Sequence, residues 1–249
     1  MCKPILMNNQ KPTLYTCLSP ALLHLYDLND TIVVIIDVLR ATSTIATALF
    51  NGAECIIPVE NVPQCIEWAQ KIECITAGER DGRVADGLEY GNSPFEYSRN
   101  FIAGKTLVLT TTNGTKLLHM ALEKGAISII TGSFPNLSAV CQYLIAQKRS
   151  VVLGCAAWKD KINLEDTLFA GAVISQVKKH FDINCDSSQI AEVLYQAGRQ
   201  DMFEFLRIKN ASHYYRLVGY GLEKDIKYCL TPDSANVVPF YQDGKLIIS

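Results

Sequence analysis

Thr31 to Val38 reads TIVVIIDV, an apolar run interrupted near its end by one carboxylate, Asp37. Ala41 to Phe50 follows as ATSTIATALF and closes on Asn51-Gly52. The first stretch is short and rich in β-branched residues, which predicts a buried strand. The second is ten residues long with glycine just past its end, which predicts a helix. The same alternation continues outward. Cys55 to Val59, Glu73 to Ala77, Lys105 to Thr111, Ala126 to Thr131 and Ser150 to Cys155 read as strands. Val62 to Lys71, Gly114 to Lys124 and Asn136 to Gln147 read as helices, as does a longer segment capped by Asn163 and running to about His180. In Ser93-Pro94-Phe95-Glu96, serine at the N-cap, proline at N1 and glutamate at N3 form a capping box that opens a helix. Beyond that the chain reads as mainly helical to about Leu230. A final hairpin pairs Val237 to Phe240 with Lys245 to Ile248 around Asp243-Gly244. Strands alternating with helices predict an α/β fold: three α/β/α layers around a mainly parallel or mixed sheet, with a helical C-terminal region. The 249 residues fit a single unit, or two α/β lobes of about 1–110 and 111–249.

Composition narrows the class. The chain is 49% hydrophobic and 19% charged, as in a globular protein. Its net charge of −2 and lack of a basic run argue against nucleic-acid binding. An anionic ligand must be held by local cations and helix N-termini rather than by a global field. The nine cysteines are irregularly spaced with no C-x-x-C pair, which argues against a zinc ribbon or dithiol site. No 18-residue apolar run predicts a membrane span. Met1-Cys2-Lys3-Pro4 is not followed by the apolar core of a signal peptide. Unpaired thiols without an export signal predict a cytoplasmic protein. The sequence leaves a homodimer open.

Ligands of parallel sheets gather at the carboxyl ends of the strands, and those ends are polar here. Asp37 and Arg40 to Thr44 follow the first strand. Gly78-Glu79-Arg80-Asp81-Gly82-Arg83 follows the third, and Thr110 to Thr115 the fourth. Gly132, Ser133 and Asn136 follow the fifth, and Lys159, Lys161, Asn163, Glu165 and Asp166 the sixth. Each cluster has a structural reading of its own. Asp37 could be a turn or cap residue, and Thr111-Thr112-Asn113-Gly114 a plain turn. Arg80 and Arg83 could form a solvated face, and Asn163, Glu165 and Asp166 could open a helix. Converging on one rim, they combine oxygen ligands suited to Mg²⁺ with guanidinium forks and helix N-termini suited to oxyanions. That mixture points to phosphate-ester chemistry.

Several of these stretches resemble one family. Asp37-Val38-Leu39-Arg40-Ala41-Thr42-Ser43-Thr44-Ile45 is similar to the opening motif of the 2-phosphosulfolactate phosphatases. So are Ala77-Gly78-Glu79-Arg80 with Gly91-Asn92-Ser93-Pro94-Phe95-Glu96-Tyr97, and Thr111-Thr112-Asn113-Gly114-Thr115. Leu164-Glu165-Asp166 with Ala170-Gly171-Ala172 resembles a fourth motif, and Asp225 to Cys229 with Asp233 and Val238-Pro239 is a weaker match. The resemblance runs over about residues 13 to 240. It departs from the family in Arg80-Asp81-Gly82-Arg83, which is poorer in glycine, and in Leu88-Glu89 where Phe-Asp is common. It implies Mg²⁺-dependent hydrolysis of 2-phospho-3-sulfolactate to 3-sulfolactate and phosphate, as in coenzyme M synthesis. The partner is then a small polyanionic phosphate ester. Asp37 and Glu79 are the expected catalytic pair, and Asp37, Glu79, Glu165 and Asp166 the expected metal ligands. Arg40, Thr42, Ser43, Arg80, Thr112, Asn113, Gly114 and Thr115 are the expected substrate contacts.

Attack by a metal-activated water is the expected mechanism. Leu39 stands where phospho-aspartyl phosphatases carry a second aspartate. Two rivals compete. Cys74 to Arg80 has the C-x₅-R spacing of cysteine phosphatases. Against it, Glu73 replaces the usual histidine, and strand alternation would put Glu73 and Cys74 on opposite faces. The other rival is a non-catalytic binder of a phosphorylated metabolite on the same fold; carboxylates at an anion site argue against it.

Overall fold

The computed structural model describes residues 11–80, 83–111 and 113–248. Ten strands form one sheet: β1 (Leu14–Cys17), β2 (Thr31–Ile36), β3 (Cys55–Val59), β4 (Ile75–Arg80), β5 (Arg83–Val84), β6 (Thr106–Thr110), β7 (Ser128–Gly132), β8 (Ser150–Cys155), β9 (Phe240–Gln242) and β10 (Lys245–Ile247). Their order is β1-β8-β2-β7-β9-β10-β3-β6-β4-β5. The strands β1, β8, β2 and β7 are mutually parallel, and so are β3, β6 and β4.

The terminal hairpin β9–β10 exists, but it does not decorate an edge. It lies in the middle of the sheet, with β9 antiparallel to β7 and β10 antiparallel to β3. It therefore joins two groups of parallel strands that interleave along the chain. Asp243 and Gly244 have φ of 49° and 83°, the positive values that a two-residue hairpin turn requires.

The helices are α1 (Ala41–Phe50), α2 (Val62–Lys71), α3 (Arg99–Ile102), α4 (Gly114–Glu123), α5 (Leu137–Gln147), α6 (Leu164–Val177), α7 (Asp186–Gly198), α8 (Met202–Ile208), α9 (Ser212–Gly219) and α10 (Glu223–Cys229). Strand alternation explains why they cover both faces. Ile32, Val34 and Ile36 of β2 point into one core with α5, α6 and the C-terminal helices, while Val33 and Ile35 point into another with Leu117 and Leu118 of α4. In the other group, Ile56, Leu107 and Leu109 pack with Leu49 of α1, and Ile57 and Val108 with Cys65 of α2. The result is the expected three-layer arrangement.

The capping box at Ser93 forms, with Glu96 accepting from the Ser93 backbone N–H, but it opens only a 3-10 turn, Pro94–Glu96. The short α3 follows. Asn163 occupies the N-cap of α6 without a capping side-chain bond, and the helix ends at Val177 rather than near His180. Glu73 and Cys74 fall ahead of β4 instead of inside it.

The connections decide where a site can form. From β2, α1 carries the chain to β3 in the other group; from β6, α4 carries it back to β7. Asp37 and Asn113 begin these two crossings, so they stand where the chain switches between the groups.

Candidate active site

Asp37, Leu39, Arg40, Glu79, Arg80, Asn92, Thr111 and Asn113 line one cleft of about 170 Å³. Trp158 and Lys159 from the segment after β8 close one side, and His213, Arg216, Leu217 and Tyr220 from α9 and its C-terminal end cover it. The rim of strand ends thus supplies the floor, and a C-terminal helix supplies the cover.

Asp37 sits at the floor. Its surroundings push its carboxyl up to about 6: burial is the largest cause, Glu79 and Glu165 add repulsion, and His213 and the Ala41 backbone N–H pull the other way. The start of α4 lies beside it: a Cβ added at Gly114 would be in ordinary van der Waals contact with Asp37 Oδ2 at 3.5 Å and Thr111 Oγ1 at 3.4 Å. Asn113 lies at the N-cap of α4 without capping it through its side chain. Arg80 is exposed and donates to its neighbour's carbonyl, Glu79 O, at 2.6 Å.

The four expected metal-ligating carboxylates divide. Asp37 and Glu79 line the cleft; Glu165 and Asp166 do not, and stand behind it in the buried first turn of α6. Asp166 accepts the backbone N–H groups of Val38 at 2.9 Å and Ala157 at 3.3 Å, so it ties the loops after β2 and β8 together. Its carboxyl is pushed well up, by burial first and then by Glu165 and Asp37. Glu165 Oε1 meets His213 Nδ1 at 2.5 Å, while its buried Oε2 has no hydrogen-bond partner. Among the described residues, no three His, Cys, Asp or Glu side chains form a ready metal cage.

The expected substrate contacts divide as well. The Thr42 hydroxyl serves the backbone, with Asp37 O and Gly132 O each 2.9 Å away and the Asp37 N–H donating to it. Ser43 Oγ donates to Val38 O at 2.8 Å. Both residues are fully buried, so these hydroxyls fasten α1 to the strand ends and do not line the cleft. Thr115 is buried with its hydroxyl 3.3 Å from that of Thr111, and Gly114 is likewise buried outside the lining. Thr112 lies outside the described residues. Arg40 lines the cleft, yet its guanidinium forms a buried ion pair with Asp225 of α10.

Cys74 is half-buried beside a different surface cleft, which it lines with Glu73 and Glu89 while Arg80 lines the polar one. Burial first, and Glu89 second, push its thiol up. Cys74 and Arg80 therefore do not share a loop around one anion, and the strand alternation expected of Glu73 and Cys74 does not apply, since both precede β4.

Sequence reasoning missed His213, Arg216, Trp158, Asn92 and Tyr220 as cleft residues. Asn92 lay inside a quoted motif, and its buried Oδ1 has no hydrogen-bond partner. The α9 residues carried one weak signal: His213, Arg216, Leu217 and Tyr220 recur at helical spacing on one face.

The α/β fold and this cleft together define a class: a protein that gathers carboxylates, cations and a histidine at a topological switch, as an enzyme of anionic small molecules does. The family model described as 2-phosphosulpholactate phosphatase matches residues 17–244. The chain is 41% identical over 215 residues to a Thermotoga petrophila protein named "Probable 2-phosphosulfolactate phosphatase", covering 86% of this chain and 91% of that one. Proteins of the same name from Caldanaerobacter subterraneus and Clostridium perfringens are 38% and 35% identical; each match covers 88% of this chain, with 90% and 89% of theirs. The chain belongs to the 2-phosphosulfolactate phosphatase family, and is thereby a phosphoric monoester hydrolase. Among the described residues no helix is long and apolar enough to cross a membrane.

Proposed function

We propose that this enzyme hydrolyses 2-phospho-3-sulfolactate to 3-sulfolactate and phosphate with Mg²⁺ as cofactor, the reaction that belongs to coenzyme M synthesis. One observation carries the reading: a single cleft joins the carboxylates Asp37 and Glu79 to the cationic side chains of Arg40, Arg80, Lys159 and Arg216. A site for an anion alone gains nothing from two carboxylates, whereas a site for an anion and a divalent cation needs both signs.

The residues present fit Mg²⁺. The donors are hard oxygens, and this ion takes one or two carboxylates while keeping waters and substrate oxygens. Asp37 and Glu79 would hold it, with the unpartnered Oδ1 of Asn92 in the same cleft. Burial first, and then repulsion from Glu79 and Glu165, raise Asp37, and a cation would relieve the repulsion. When bound, Mg²⁺ would neutralise charge on the phosphoryl oxygens.

The chain's own groups do the rest. Whichever of Asp37 and Glu79 the ion leaves free accepts the proton of the attacking water. His213, held through Nδ1 by buried Glu165, is the second proton-handling group lining the cleft. The start of α4 and Arg80 bind phosphoryl oxygens through N–H donors. All eight described cysteines are free thiols, which supports a reducing, cytoplasmic setting.

The test is phosphate release from 2-phospho-3-sulfolactate by protein stripped with EDTA. Activity is expected to vanish and return with Mg²⁺. Full activity in a rigorously metal-free preparation overturns the cofactor; a folded, Mg²⁺-supplied enzyme that leaves this ester intact overturns the substrate.

A further inference from the structure

The segment after β8 and helix α9 bring two cations to the cleft. Trp158 and Lys161 exchange backbone hydrogen bonds at 2.9 and 3.0 Å, so residues 158–161 form a tight turn. Its central residues, Lys159 and Asp160, have φ of 52° and 60°, as a two-residue hairpin turn of the I′ kind requires. This turn is pinned from two directions. Ser19 Oγ donates to the Asp160 carbonyl at 2.9 Å, and Lys116 Nζ meets both Asp160 carboxylate oxygens at 2.8 and 3.0 Å. Trp158 is therefore a fixed platform. The Arg216 guanidinium lies 3.9 Å from the centre of its ring, and Lys159 Nζ 4.7 Å. Two cations share one aromatic ring, and all three residues line the cleft.

A guanidinium held over a ring by cation–π attraction still has N–H donors in the fork that oxyanions match. The substrate of the proposed reaction carries a carboxylate and, one methylene out, a sulfonate. A sulfonate is a weak base and a poor ligand for a hard cation. It is better served by N–H donors than by the carboxylate pole, and it projects further from the phosphate carbon.

We propose that Arg216 and Lys159 form the subsite that receives the sulfonate, with Trp158 a positioning residue that presents the Arg216 fork. This inference rests on the proposed reaction and adds which residues read the group that sets that substrate apart from 2-phospholactate.

The experiment compares kcat/KM for 2-phospho-3-sulfolactate with that for 2-phospholactate, which keeps the phosphate and carboxylate and lacks the sulfonate. Arg216→Ala should lower the ratio about 10- to 100-fold, the worth of a charge-assisted hydrogen bond, chiefly through KM. Trp158→Ala should lower it about 2- to 10-fold, and Trp158→Phe should restore most of that because a ring face remains. Lys159→Ala, at an exposed position, repeats the test where folding is not at stake. Calorimetry with 3-sulfolactate and lactate provides a readout free of turnover: wild type should favour the sulfonated acid and Arg216→Ala should lose that preference. Equal losses on both esters, or an unchanged ratio, overturn the subsite while leaving the proposed reaction standing. A wild type that turns over neither ester yet favours 3-sulfolactate through Arg216 overturns the reaction and keeps the subsite. A wild type that binds 3-sulfolactate no better than lactate overturns the subsite outright.

Discussion

Arg40 sits at the start of α1 and Asp225 on α10, 185 positions apart in the chain, and their ion pair is sealed at side-chain exposures of 5% and 8%. Removing one partner leaves the other charged and desolvated. Asp225→Ala should therefore cost about 3–5 kcal/mol, the usual penalty for an orphaned buried charge. For a chain of this size each kcal/mol corresponds to roughly 2–4 °C, so Tm should fall by about 6–20 °C. Arg40→Met should cost a similar amount by orphaning Asp225. The double variant Arg40→Met with Asp225→Ala should be less damaging than the sum of the singles, with a coupling of about 0.5–3 kcal/mol. Urea denaturation read by circular dichroism and by tryptophan fluorescence gives the three free energies. Strict additivity, or two singles each costing under about 1 kcal/mol, refutes the reasoning and returns Arg40 to the ligand. The cycle thus asks whether Arg40 holds the C-terminal helices onto the strand ends or reaches out to substrate.

Asp37→Asn should lower kcat by at least about a hundredfold, yet fold as stably as wild type or better because it removes one of four mutually repelling carboxylates; a near-normal rate in steady-state phosphate release would make Asp37 a turn residue only. Cys74→Ser should keep most activity. Among the described part-exposed thiols Cys185 should alkylate with iodoacetamide faster than Cys74: burial raises both, but hydrogen bonds at Ser187 and Ser188 bring Cys185 below its ordinary value and so enlarge its thiolate fraction, whereas Glu89 raises Cys74 further. Peptide mapping checks the order, and preferential labelling of Cys74 with loss of activity would revive the cysteine route. Gly171→Ala should destabilise by about 1–3 kcal/mol or more, since a Cβ would stand 2.0 Å from the Ala191 carbonyl oxygen and force α6 and α7 apart; a melting temperature within a degree of wild type would show that the helices part freely.

The local units of this fold were legible in the chain because they are set by local physics. TIVVIIDV predicted a buried strand, and β2 takes its first six residues, Thr31–Ile36, while α1, β3, α2 and β8 have the bounds that their apolar spacing and terminal residues predict. Asp37 was legible as a residue of the cleft for the same reason, since a carboxylate just past a buried strand in a parallel sheet has few places to go, whereas Glu79, read as following its strand, lines the cleft from inside β4. Tertiary structure alone decided three things. The four-residue β1 gives too short a pattern to read, and its partner β8 lies more than a hundred residues away. The place of β9–β10 depends on two parallel groups offering edges to it, which no sequence window contains. The division of the polar residues follows packing. Thr42, Ser43, Glu165 and Asp166 bear the same chemistry as true ligands, but burial commits them to backbone and to His213. His213, Trp158 and Arg216 become a site only because α9 folds back over the strand ends, and spacing along a chain carries no record of which surfaces will meet.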